Sequence, residues 1–172
     1  MAWIYPGGLT DTDFADGTTN TAWAIHLNIY GAAITIPSAG TVTKLGAYCK
    51  QNDVGDLGLK FGLYTSGGSL VAQSTGTVTL NTLSWVDSGT ISGAVSAGTY
   101  YVVLSGESSA VLQGYDTSAN GVEAAEAYAT AMQSSESLAA GDGSTGYRFG
   151  VRLDFTAGGS GYTPRSMLLG VG

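Results

Sequence analysis

The run GTVTKLGAYCKQNDVGDLGLKFGLYTSGGSLVAQST, residues 40–75, decides the fold class. Apolar and polar residues alternate along it, the period-two pattern of a β-strand with one buried face. Three strands are read from it: GTVTKLGAYCKQ from Gly40, GLKFGLYT from Gly58 and SLVAQSTGTVTL from Ser69. TSGGS at Thr65 joins the last two as a hairpin, because consecutive glycines accept positive φ without steric cost.

The same pattern continues on both sides. Upstream stand TAWAIHLNIYG from Thr21 and AAITIP from Ala32. Downstream come LSWVDSGTI from Leu83, GTYYVVLSG from Gly98, AVLQGYDT from Ala110 and GYRFGVRLDFTA from Gly146. SAG recurs at Ser38 and Ser96, each time as a tight turn opening a Thr-led strand. Many short strands at this spacing predict an all-β sandwich or barrel. Residues 121–141, GVEAAEAYATAMQSSESLAAG, depart from the pattern, since Ala and Glu favour helix. Tyr128, Thr130, Met132 and Ser134 nevertheless alternate with Ala and Gln, so a strand is expected in the second half, with a short helix as the alternative.

Composition agrees with a turn-rich β protein. Among 172 residues there are 27 glycines, 44% hydrophobic residues and only 11% charged ones. That length supports a single core, so one domain is expected. The formal net charge of -7 is uneven: no Lys or Arg stands between Lys60 and Arg148, while Asp87, Glu107, Asp116, Glu123, Glu126, Glu136 and Asp142 do. Nucleic-acid binding needs clustered Lys and Arg and is not expected. From Phe61 to Gly106 the sole charge is Asp87. Strands so bare need their edges covered, which suggests burial in an assembly.

Cysteine and histidine occur once each, at Cys49 and His26, which excludes a disulfide framework and His/Cys zinc sites. Cys49 reads as a buried small hydrophobe. His26 alternates with Ala24 and Asn28, facing solvent or a neighbouring subunit, and nothing pairs it with a nucleophile. No enzymatic activity is expected. Asp11, Asp13 and Asp16 in DTDFADG are the oxygen donors a Ca²⁺ ion takes, but their spacing is not that of an EF-hand, and Asx turns in a solvated loop explain them as well. QNDVGD at residues 51–56, a second acid cluster with Asp53 and Asp56, could likewise hold a cation, but as a connection between strands it needs no function. Trp85 and Trp23 are assigned to core or interface packing. Trp3 and Tyr5 lie ahead of the first domain strand, in AWIYPGG, and are assigned to docking on a partner. No basic leader with an apolar stretch follows Met1, and no run is long enough to span a membrane, so cytoplasmic folding is expected.

KLGAY at 44–48, GLYTSGGSLV at 62–71, Trp85 followed by AGTYYVVLS at 97–105, and GYRFGVRLDF at 146–155 carry a resemblance over residues 22–156. The chain resembles jelly-roll β-sandwich modules of tailed-phage virion proteins, which decorate capsids or build tails and fibres. The pattern is also related to carbohydrate-binding-like modules of secreted bacterial proteins. The resemblance implies a single jelly-roll-like antiparallel sandwich at 21–156, flanked by arms at 1–20 and 157–172. It implies a virion structural protein, assembled in the host cytoplasm, that associates as a trimer or larger homo-oligomer and binds a major capsid or tail protein. A glycan-binding or receptor-binding module is the alternative.

The second arm is unusual in composition. After Gly158, Gly159 and Gly161 come Tyr162, Pro164 and Arg165, then an apolar strip of Met167, Leu168, Leu169 and Val171. Burying three such side chains contributes on the order of 5 kcal/mol before ordering costs. Repeated around an oligomer, that holds subunits together, so Tyr162, Pro164, Met167, Leu168, Leu169 and Val171 are assigned to partner binding.

Overall fold

A computed structural model describes residues 2–8, 10, 22–116, 121–125, 128, 132–138 and 147–158. The expected Ca²⁺ ligands Asp11, Asp13 and Asp16, and the tail residues Tyr162, Pro164, Met167, Leu168, Leu169 and Val171, lie outside the described residues. Thirteen strands are formed among those described, all paired antiparallel. They are β1 (Ala2–Ile4), β2 (Ala22–Ala24), β3 (Ile29–Ile36), β4 (Gly40–Gln51), β5 (Leu57–Thr65), β6 (Leu70–Val78), β7 (Ser84–Asp87), β8 (Gly93–Val95), β9 (Gly98–Gly106), β10 (Val111–Asp116), β11 (Gly121–Ala124), β12 (Arg148–Phe149) and β13 (Val151–Ala157).

Two sheets pack face to face as a β-sandwich. The first is organised around β4, whose length lets several partners share it: β13 and β10 line one edge in succession, β7 and β8 the other. β1 adds outside β13, and β2 outside β10. In the second sheet the order is β11-β3-β9-β5-β6.

Alternation builds the core. Leu59, Phe61 and Leu63 of β5 point inward with Ala32, Ile34 and Ile36 of β3, meeting Val42, Leu45, Ala47 and Cys49 of β4 and Val151, Leu153 and Phe155 of β13. Val42 and Leu45 are both buried although three residues apart, which a strict period of two forbids. A bulge resolves this: the β4–β13 register shifts between Asp154 and Phe155, leaving Thr43 as the extra residue. Thr43 Oγ1 then donates to Asp154 Oδ2 at 2.9 Å.

The sequence reading joins residues 21–31 into one strand, and the structure divides them. Chain at 22–24 belongs to the first sheet and from Ile29 onward to the second. Ile25 is the crossing point: its N–H donates to Val111 of the first sheet, and its carbonyl accepts from Gly106 of the second. Its side chain is fully buried between them.

Among the described residues of 121–141 the first half forms a strand, β11, and the expected strand of the second half is represented by a single bridge from Ser135 to Ser69, with residues 126–127, 129–131 and 139–141 outside the described residues. Residues 132–138 run extended beside the TSGGS hairpin, bonded through Ser69 and Ser135 and from Glu136 N–H to the Gly68 carbonyl at 2.8 Å. Together these segments cover the outer face of the second sheet. There Met132, Val122, Ile29, Tyr64 and Val103 form a second, smaller core, which outweighs the helical propensity of the segment. The Tyr64 hydroxyl donates to the Gln133 carbonyl at 2.9 Å from a fully buried position. Tyr64→Phe leaves that carbonyl short of a donor, and denaturant unfolding is expected to show a loss of about 1 kcal/mol.

Candidate functional site

Among the described residues, the outer face of the first sheet carries a distinctive polar arrangement. Arg152 on β13 stands opposite Gly46 of β4, and Asp87 of β7 flanks Gly46 on the other side. A Cβ at Gly46 would lie 2.8 Å from Asp87 Oδ1 and 2.9 Å from the Arg152 side chain, so only glycine leaves room for the two to meet. They do meet: Arg152 Nη2 reaches Asp87 Oδ1 at 2.7 Å.

The guanidinium also stacks on aromatic rings. Its carbon lies 4.0 Å from the Trp3 ring centroid and 4.4 Å from that of Trp85. Both are cation–π distances. Trp85 in turn meets Tyr5 edge-on, with centroids 5.7 Å apart, and Tyr48 at 5.5 Å. Partial burial pushes the Tyr48 phenol up from its ordinary pKa.

Trp3 and Tyr5 therefore dock on this chain's own sandwich. β1 pairs with β13 through Ala2, Trp3 and Ile4, against Phe155, Asp154 and Leu153. Arg152 clamps the added strand from beside it. Trp85 packs in this cluster on the sheet's outer face rather than in the interior core. For Trp23, the backbone lies in β2, opposite Gln113.

Other candidates are placed differently. His26 is half-buried at the bend between β2 and β3, and its carbonyl accepts from Tyr128 N–H at 3.3 Å. The loop at 51–56 is organised by the buried Gln51 amide, which accepts from Asp53 N–H at 2.8 Å and donates to the Gly55 carbonyl at 2.6 Å. Among the described residues no three His, Cys, Asp or Glu side chains gather as a metal site.

Comparison with protein-family models, curated proteins and solved structures finds no match to this chain.

Cys49 sits in the core, and burial pushes its thiol from an ordinary value of 9.0 up to about 12. A thiol held protonated is no nucleophile. Because the folded-state value is the higher one, its contribution to stability is complete below about pH 9 and is lost as pH rises through about 12. Urea titrations at about pH 8 and about pH 10.5 are expected to show a larger alkaline loss for the native chain than for Cys49→Ala. An equal loss would place the pH dependence elsewhere.

Proposed function

We propose that this protein is a non-catalytic structural building block, a jelly-roll-like sandwich that assembles with copies of itself as a trimer or larger ring and serves as a virion decoration or tail component. Its partners are a second copy and a major capsid or tail protein, joined in the host cytoplasm. The two-sheet sandwich supports a structural or binding role, and the motif resemblance supports the virion assignment.

One observation carries the assembly reading. β6 is one of the two edge strands of the second sheet, opposite β11, and its nine residues hold no charge and no proline. Solitary domains blunt such edges with charge, Pro or a covering segment. Among the described residues the cover is partial: the Ser134 carbonyl accepts from Leu70 N–H, Met132 N–H donates to the Gln73 side chain, and Gly89 N–H donates to the Thr75 carbonyl. Strand addition by another chain would complete it, with backbone bonds giving affinity and alternate side chains giving register.

The glycan-binding alternative needs a free aromatic platform. Trp3 and Trp85 are the natural one, but each gives a ring face to Arg152. That geometry favours the structural reading. Negative-stain imaging of the concentrated protein is expected to show regular closed or stacked particles. Saturable binding on a glycan array, lost in Trp3→Ala, would overturn the structural role.

A further inference from the structure

The rings around Arg152 do more than clamp β1. On β4, Gly46 and Tyr48 lie on the outer face, alternating with Leu45, Ala47 and Cys49 in the core. Two glycines floor this face. Gly46 leaves room for Arg152 and Asp87, and Gly114 of β10 does the same further along: a Cβ there would lie 2.8 Å from the Tyr48 ring and 3.3 Å from the Leu83 side chain. Ring contacts join Tyr48 to Trp85 and Trp85 to Tyr5, and Arg152 lies against both Trp85 and Trp3. Trp3, Tyr5, Tyr48, Leu83 and Trp85 therefore form one continuous patch, and each of them is only half-buried. Lone apolar residues at a surface are ordinary, but a contiguous group of large ones marks an interaction site.

The chain carries a segment suited to this patch. Residues 159–172 hold one charge, Arg165, and the apolar side chains Met167, Leu168, Leu169 and Val171. They follow β13, the strand that bears Arg152. Ala157 at its end pairs with Gly40, and Gly158 N–H donates to the Ala39 carbonyl. From there the patch lies back along the same two strands. Arg152 is six residues before Gly158, about 20 Å at a strand's rise, and Tyr48 is eight beyond Gly40, about 26 Å. Met167 to Val171 stand nine to thirteen positions after Gly158, a reach of about 30 to 47 Å fully extended. All four apolar side chains can thus reach the patch of their own chain. A tether of this length holds them at an effective concentration on the order of 1 mM, above that of a second copy in dilute solution.

We propose that residues 162–171 fold back over the outer face of the first sheet of the same chain and seat Met167, Leu168, Leu169 and Val171 on the patch of Tyr5, Tyr48, Leu83 and Trp85. Trp3 and Tyr5 already dock on this face from β1. The strip whose composition suggests a partner is then an internal cover, and assembly is left to the β6 edge on the other sheet. Nothing in this contact depends on β6, so its failure and that of assembly are read separately.

Paramagnetic broadening in the full chain tests the contact. Ser166→Cys provides a site for a nitroxide label, while the native Cys49 is buried. In the labelled chain the indole N–H signals of Trp3 and Trp85 should lose most of their intensity and regain it when the nitroxide is reduced. An equal mixture of isotope-labelled chain without nitroxide and spin-labelled chain without isotope reports contacts between copies alone, and there the two signals should be broadened far less. Broadening as strong in the mixture as in the single chain would overturn own-chain docking and give the strip to a second copy. Signals that keep their intensity in both samples would overturn the cover altogether. Leu168→Asp/Leu169→Asp leaves every residue of both cores in place. In that background the broadening should be lost and acrylamide quenching of the tryptophans should rise, whereas broadening and quenching unchanged from the parent chain would refute the apolar contact.

Discussion

Replacing Arg152 with alanine is expected to destabilise the sandwich by about 3 kcal/mol, the largest effect of any single change on the sheet's outer face. Three losses combine. The guanidinium stacks on Trp3 and Trp85, and each contact is worth roughly 0.5 to 2 kcal/mol where solvent is limited. Its ion pair with Asp87 disappears, although Asp87, with a side chain 35% exposed, regains water and limits that cost. Its buried stem also leaves a gap beside Gly46. For a chain of this size the melting temperature should fall by roughly 6 to 12 °C. Tryptophan emission should shift to the red as Trp3 and Trp85 gain water, a signature that a change elsewhere in the core would not give. Arg152→Lys retains the charge but cannot lay a planar group across two indoles, so it should recover only part of the loss. If Arg152→Ala melts within a degree or so of the wild type, on the order of 0.5 kcal/mol, β1 is held by backbone pairing alone.

Gly68→Ala is the second large expected effect. Gly68 has φ +82, a left-handed conformation that L side chains avoid. A Cβ there would lie 1.9 Å from the Glu136 carbonyl oxygen, which is backbone and cannot swing aside. The backbone strain costs about 1 kcal/mol and overpacking typically 1 to 3 more, so a loss of roughly 2 to 4 kcal/mol is expected. The damage should have an address. Lifting residues 132–138 away from the hairpin would uncover Met132 and Tyr64 while leaving the inter-sheet core in place. Hydrogen exchange should therefore rise first at Leu70 and Glu136, whose N–H groups bond across that junction. Uniform exchange across both sheets would contradict the view of this segment as a separately held cover.

Much of the architecture is legible in the sequence because it depends on local alternation. β4, β5, β6 and β9 follow the strands read from residues 40–75 and from GTYYVVLSG, and the TSGGS turn and both SAG turns fall where the residues demand them. Cys49 is buried as its strand neighbours imply. Features set by distant pairings are not legible in this way. Trp3, the β7 pair Trp85 and Asp87, and Arg152 are far apart in sequence, and only the order of β1, β13, β4 and β7 brings them onto one face. The one charge in an otherwise bare stretch, Asp87, is the partner of a buried arginine, and no pattern near it carries that information.

Two other departures have the same origin. Residues 21–31 alternate without interruption, yet the chain changes sheets at Ile25, because the alternation says which side chains are apolar and not which sheet they join. Residues 121–138 have the composition of a helix, but the outer face of the second sheet offers Ile29, Tyr64 and Val103 for burial, and tertiary contact overrides propensity. In the loop at 51–56, two acids suggest a cation, while the neighbouring Gln51 amide supplies the bonds that shape it.

Self-assembly of the sandwich, as proposed above, is open to direct measurement. Light scattering coupled to size exclusion, on the full chain over a wide range of concentration, tests it most directly. A particle of at least three protomers that persists on dilution is the predicted result, and a single protomer mass at every concentration would contradict it.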